Sequence, residues 1–424
     1  MPIDFKSSIL RNEIKNDEIG IEKESLRITS DGRLAHTPHP FDENEKNIDR
    51  DFCENQMEFI SDIFTDSKKL IEHLEELHDK TYAKIRKNGE LLWPFSNPPY
   101  VSGEDDIHIA RFSEERKQRE DYRNYLANKY GKMKMLFSGI HYNFSFSDSF
   151  IRAAARQNGA DYPDFKNGLY LELAKKLTEY SWLIVYLTAA SPLLDSSYIK
   201  YTALGDSDSY RYASVRCGEA GYWNDFIPIL NYSSLKEYTD SIRCYVDRGL
   251  LKSSAELYYP TRLKPRGENT LENLENGVNH IEMRTLDLNP FSRVGILKED
   301  IDFIHIFILW LLSIEDTDFS IEKQMTAIKN IRTAALFDDR SHFLNIDGEA
   351  LPIIEAARRV LNSVSKFTYR FFPEFADTVA FQAAKLRMTE NRYADAVRGK
   401  FGENFTEIGL KLAKNYAKEA DKNV

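Results

Sequence analysis

Apolar and polar positions change period along the chain, and those changes outline its elements. Leu70, Ile71, Leu74, Leu77 and Ile85 recur every three to four residues behind Asp66 and Ser67. This predicts a capped helix with one apolar stripe. A second helical zone runs from about 168 to 190 and should end before Pro192, whose ring clashes with a continuing turn. The apolar run Ile301 to Ile314 is a third, and from about Glu349 to the end the pattern stays helical, with Ile353, Ile354, Ala357, Val360 and Leu361 on one side. Between these zones lie four segments of strand character: Ile19 to Ile28, Gln56 to Ile60, Leu136 to Phe146 and Asn279 to Leu288.

Strands set apart by helices and long excursions predict an α+β fold with a mainly antiparallel sheet. No fixed period repeats, and no Pro/Gly/Ser-rich stretch is long enough to be a linker. The expected organisation is a core over residues 1–345 with a helical C-terminal region, 346–424, packed on it as one structural unit.

Composition narrows the class. With 424 residues, 42% hydrophobic and 29% charged, the chain can bury a large core. A net charge of -10 argues against a nucleic-acid partner, since phosphate-backbone binders need excess Lys and Arg. Trp182 to Ala190 and Ile301 to Ile314 fall short of the roughly 18 residues of a spanning helix, so no membrane segment is expected. Met1 to Asn12 has no continuous apolar stretch of the signal-peptide kind, and cytoplasm is the expected compartment. Cys53, Cys217 and Cys244 are odd in number and form no CxxC pair, which predicts reduced thiols and no zinc site.

The candidate chemistry lies on the strands. Glu22 and Glu24, two apart, share a face of the first strand. Taken alone, such a pair is usually the solvated side. Asp51 and Glu58 bracket the next segment, and Glu58 stands beside Met57, Phe59 and Ile60, where a charge is costly unless paired or metal-bound. His141 and Asn143 share a face, as do Glu282 and Arg284. Singly, His141 reads as a hydrogen-bonded core histidine, and Glu282 with Arg284 as a structural pair. Together they are the oxygen-rich, directionally held set that a hard divalent cation requires, with magnesium and a nucleotide as the natural occupants. Neither GxxxxGK[ST] nor GxGxxG occurs, so ATP would be held through metal bridges and side chains.

The same segments carry a resemblance. GIEKESLR (20–27), DFCENQMEFIS (51–61), LLWPFSNPP (91–99), KYGKMKMLFSGIHYNFSF (129–146) and HIEMRTLDLNPFSRVGI (280–296), in this order, resemble the glutamate-cysteine ligase family. The likeness is to the ligase half of bifunctional enzymes that join this activity to a glutathione synthetase. No such second half follows Val424, so a separate glutathione synthetase is the expected partner if the pathway continues. The resemblance implies a saddle-shaped antiparallel sheet of the glutamine synthetase type surrounded by helices. It also implies ATP- and Mg2+-dependent joining of L-glutamate to L-cysteine through a γ-glutamyl phosphate, with two or three metal ions. The implied metal positions are Glu22, Glu24, Asp51, Glu58, His141 and Glu282. Arg284 is the implied catalytic arginine beside Glu282, near the transferred phosphate and the glutamate. The implied acceptor pocket comprises Phe52, Tyr122, Arg216, Tyr222 and Tyr258, with Arg216 on the acceptor's carboxylate. Met135 stands where relatives often carry glutamine, and Cys217 to Ala220 departs from a small polar run. These departures keep open a different amine acceptor, and a non-catalytic glutamate- or nucleotide-binding homologue is the further alternative. Oligomeric state follows from none of this.

Overall fold

Seven strands pair antiparallel in one sheet in a computed structural model that describes residues 2–200, 211–316, 318–337 and 341–422. The strands are β1 (Glu18–Ile28), β2 (Ile48–Arg50), β3 (Gln56–Ile60), β4 (Leu91–Leu92), β5 (Gly139–Ser145), β6 (Thr261–Lys264) and β7 (His280–Asp287). Their order is β2-β3-β1-β5-β7-β6, with β4 pairing the far end of β1. The α+β class with an antiparallel sheet is therefore as the pattern predicts, and the four expected strands are β1, β3, β5 and β7.

One face of this sheet is apolar for a local reason. Ile19, Ile21, Ile140, Tyr142, Phe144, Ile281 and Met283 alternate with the polar set and are buried in the largest core cluster. The long helix Tyr162–Thr188 packs against β6 and β7, and helix Lys298–Ser313 packs on that helix. Burying both leaves the opposite face of the central strands to line a cavity.

The helix at Ser67–Ile85 forms as expected, with the Asp66 carboxylate accepting from the amides of Lys68 and Lys69. Several boundaries differ from the pattern. The long helix starts at Tyr162 rather than near 168, because Pro163 fits a first helical turn, where no amide partner is needed. Met133–Leu136 is a 3-10 turn ahead of β5. Glu349 does not begin a helix: Glu349–Pro352 pairs with Phe343–Ile346 as a two-stranded hairpin, and the helix starts at Ile353. Asp347 in a left-handed conformation and Gly348 make its turn. The helices Ile353–Phe371 and Ala376–Arg387 pack on Lys298–Ser313, and Phe405–Ala420 packs on β4 and Ser67–Ile85. No helix among the described residues is long and apolar enough to cross a membrane.

Candidate active site

Register assembles the polar face. Glu24 stands opposite Glu58, Glu22 opposite His141, Asn143 opposite Glu282, and Glu282 opposite Arg262. Directly opposed residues on adjacent strands project to the same side. Five strands thus contribute to one row, although their residues lie far apart in sequence. Asp51 joins them from the turn between β2 and β3, closed by its amide donating to the Gln56 carbonyl at 3.1 Å.

Glu22, Glu24, Asp51, Glu58, His141 and Glu282 line one cavity of about 190 Å³, together with Phe52, Tyr122, Tyr222, Tyr258 and Arg284. Arg216 does not line it. It sits in a smaller adjoining pocket that shares Tyr222, Tyr258 and Arg284 and adds Cys217, Trp223 and Thr285. Arg216 Nη1 donates to the carbonyls of Arg284 (2.8 Å) and Leu286 (3.3 Å), which ties it to β7. The rings of Tyr222 and Tyr258 stand 4.2 Å apart between the two spaces. Cys53 and Cys217 are buried and Cys244 is exposed, all as free thiols. The Cys217 thiol donates to the Thr285 carbonyl, and burial pushes it up to about 12, so it stays protonated.

The cavity is electrostatically divided. At one part, Glu22, His141 and Glu282 each place a ligand atom within 4.8 Å of the others. His141 Nδ1 is 3.0 Å from Glu22 Oε2 and 3.7 Å from Glu282 Oε1, so this nitrogen faces two carboxylates, an arrangement a cation between them suits. Burial, with the charge of Arg284, pushes the imidazole down to about 4, leaving it neutral as a metal ligand must be. Burial works to raise Glu282, yet Arg262, Lys264 and Arg284 hold it well below the ordinary carboxylate range. Glu22 is also lowered: burial works to raise it, but the hydrogen bond and charge of His141 and the charge of Lys264 together outweigh burial and the repulsion of Glu282.

The second part is a cluster of carboxylates. Glu24 is pushed up to about 8 by burial and then by Asp51. Asp51 is raised by burial, and Glu58 well above its usual range by burial and then by Asp51, Glu22, Asp49 and Glu24. Neither Asp51 nor Glu58 has a cationic side chain at ion-pair distance among the described residues. Such buried carboxylates are costly without a counter-charge, and a divalent cation is the counter-charge they suit.

Several lining residues escape the sequence reading. Arg123 donates from Nε to the Asp51 carbonyl and from Nη2 to that of Arg50 (3.1 Å), placing a fixed cation beside the carboxylates. No local signal marks it, because its helix Lys117–Tyr130 is polar almost all round and buries only Leu126. Arg262 and Lys264 alternate as Glu22 and Glu24 do, but β6 is four residues long between Pro260 and Pro265, too short for period to speak. Met135 also lines the cavity. Glu282 and Arg284 do form an ion pair, Nη1 to Oε1 at 3.1 Å, within the cavity wall.

An antiparallel sheet with one carboxylate-lined face, backed by helices, is the fold class expected of the glutamate-cysteine ligases. The family profile described as glutamate-cysteine ligase matches residues 4–249 and 245–334, and the chain belongs to that family. It is 37% identical over 431 residues to the glutathione biosynthesis bifunctional protein of Listeria monocytogenes, covering 97% of this chain and 56% of that protein. It is 33% identical over 436 residues to the protein of that name from Clostridium perfringens, covering 97% and 55%. The chain spans about half the length of the curated relatives it matches. Among solved structures it is similar to a bifunctional glutathione synthetase from Pasteurella multocida, with TM-score 0.85, 26% identity, and 97% and 53% of the two chains covered. The glutamate-cysteine ligase of Francisella tularensis in complex with AMP shares the fold at TM-score 0.86 and 23% identity, over 95% and 89% of the two chains.

Proposed function

We propose that this chain joins L-glutamate to L-cysteine, forming γ-glutamylcysteine with ATP and Mg2+, the first step of glutathione biosynthesis. The observation that carries the reading is the single sheet face on which Glu22, Glu24, Asp51, Glu58, His141 and Glu282 converge in a member of this family. Glu22, His141 and Glu282 would hold one Mg2+, and Glu24, Asp51 and Glu58 a second. Bound there, the metal would supply neutralisation of the charge that develops on the transferred phosphoryl group.

The γ-carboxylate of glutamate attacks the γ-phosphorus of ATP, and ADP leaves. The cysteine amine then attacks the resulting acyl phosphate, the amide forms, and phosphate leaves with loss of a proton from nitrogen. Arg284 stands where the cavity meets the smaller pocket, so its guanidinium can hold the phosphate or the oxyanion that develops beside it. Arg216 in the smaller pocket suits the carboxylate of the incoming amino acid. Phe52, Tyr122, Tyr222 and Tyr258 wall the region and limit water, which protects an acyl phosphate from hydrolysis. The product is the substrate of a glutathione synthetase activity, on the same polypeptide or another.

The test is ATP-dependent phosphate release with glutamate and a panel of amines. Turnover with cysteine is the expected result. Met135 and Cys217 in the linings favour, as a second reading, a different amine acceptor, which turnover with that amine and none with cysteine would establish. ATP binding without turnover on any amine would support a non-catalytic homologue.

A further inference from the structure

Lys264 ends β6, faces His280 across the β6–β7 ladder and lines the cavity. It shares a wall with two other cations, and the three are held differently. Arg262 donates from Nε to Glu282 Oε2 at 2.7 Å and from Nη1 to the carbonyls of Ala255 (3.0 Å) and Leu257 (3.4 Å), so it is engaged within the protein. Arg284 Nη1 donates to Glu282 Oε1 at 3.1 Å. The Lys264 ammonium lies 3.5 Å from Glu282 Oε1 and donates a hydrogen bond to no described residue, although its side chain keeps only 15% exposure.

Glu282 is one carboxylate facing three cations, and the two arginines already meet both its oxygens. A mostly buried ammonium that makes no hydrogen bond to a described residue, and whose ion-pair partner Glu282 is already met by two arginines, has donors left for a further anion. Lys264 lines the cavity, from which that anion can come.

The layout also indicates which anion. Along β7 the smaller pocket lies at the Arg284 and Thr285 end, while Lys264 and His280 mark the opposite end, beyond Glu282. An amine seated by Arg216 approaches the activated carbon from the pocket side. With the amine on that side, the Lys264 end of the cavity is open to the phosphate and the rest of a polyphosphate chain.

We propose that Lys264 binds the β- and γ-phosphate oxygens of the nucleotide at the β6–β7 end of the cavity. The inference rests on the ligase reading above and adds to it a residue and a direction for the polyphosphate. It is a direct contact, distinct from the role of Arg262, which donates to Glu282 and to the carbonyls of Ala255 and Leu257.

The experiment measures ADP and ATP binding by calorimetry at saturating Mg2+ for wild type, Lys264→Gln and Lys264→Arg. Lys264→Gln should weaken nucleotide binding about 10- to 100-fold, as expected for loss of a hydrogen bond between charged groups. Lys264→Arg should recover most of it, with the KM values for glutamate and cysteine and the Mg2+ dependence unchanged. Wild-type nucleotide affinity in Lys264→Gln overturns the inference, as does an altered Mg2+ dependence alone, which would make Lys264 a partner of Glu282 only. Wild-type protein that binds no nucleotide overturns the ligase reading, and this inference with it. Should Lys264→Gln fail to fold, acetylation of Lys264 in wild type, followed by mass spectrometry, decides: ADP should protect it, and equal labelling with and without ADP counts against the proposal.

Discussion

Gly139 lies directly against the guanidinium of Arg216: a Cβ on Gly139 would stand 2.2 Å from Arg216 Cζ. The same glycine donates its amide to Glu24 Oε2 at 2.8 Å, so one residue of β5 touches both the carboxylate cluster and the arginine of the smaller pocket. A side chain here must displace the flexible end of Arg216 rather than backbone. Gly139→Ala should therefore fold with a melting temperature within a few degrees of wild type. It should raise the KM for the amine acceptor about 10-fold or more, the scale of a charge-assisted hydrogen bond, and leave the KM for glutamate near wild type. Steady-state kinetics with each substrate varied in turn would show it, and equal effects on both KM values would argue against a separate acceptor pocket.

Glu58 and Glu282 should respond oppositely to removal of charge. Glu58 faces other carboxylates, so Glu58→Gln should stabilise the metal-free fold by roughly 1 kcal/mol and weaken Mg2+ binding about 10-fold or more. Glu282 is the shared partner of three cations, and Glu282→Gln should destabilise the fold by about 3 kcal/mol, the scale of breaking a buried pair. Urea unfolding with and without Mg2+ measures both. Two changes of the same sign would contradict the charge distribution described above.

Lys23 lies between Glu22 and Glu24 but on the opposite face, buried with Nζ 3.0 Å from His78 Nε2. Burial, with a contribution from Arg293, pushes its ammonium down to about 7, against about 10.4 in an unfolded chain. Between those values the unfolded state binds more protons, so stability rises with pH from about 7 to 10, and the full penalty is present below 7. His78, pushed well below its ordinary value by burial, adds loss of stability as pH falls below about 6.5. Lys23→Met should be more stable than wild type at pH 6 by about 1–4 kcal/mol and show a flatter rise toward pH 10. Parallel wild-type and variant profiles in denaturant titrations would refute this assignment.

Asp300 ties the C-terminal helices to the centre. It accepts from Gln382 Nε2 at 2.9 Å and from the Tyr393 hydroxyl at 2.8 Å, and lies 3.4 Å from Lys385 Nζ, all buried. Asp300→Ala leaves Lys385 buried without its counter-ion and should cost about 3–5 kcal/mol. Limited proteolysis should then cut first between about 372 and 392, where the helices meet short turns.

The face of each strand was legible from sequence because side chains two apart must point the same way. Glu22 with Glu24, His141 with Asn143, and Glu282 with Arg284 follow from that period alone, as does the apolar opposite face that seeks the helices. The five matching segments carried the family. What period cannot supply is neighbourhood. Glu58 faces Glu24, and Asn143 faces Glu282, only because β1, β3, β5 and β7 pair in one register, and those contacts join residues tens to more than a hundred positions apart. Arg216 was visible only through the resemblance, and its seat against Gly139, outside the main cavity, depended on a loop closing onto β5 and β7. Lys264 and Arg123 were invisible for related reasons: one lies on a strand too short to show alternation, the other on a helix with almost no apolar face. Local sterics set which side each residue shows, while pairing and packing of distant segments decided which charges share a space and so what that space can bind.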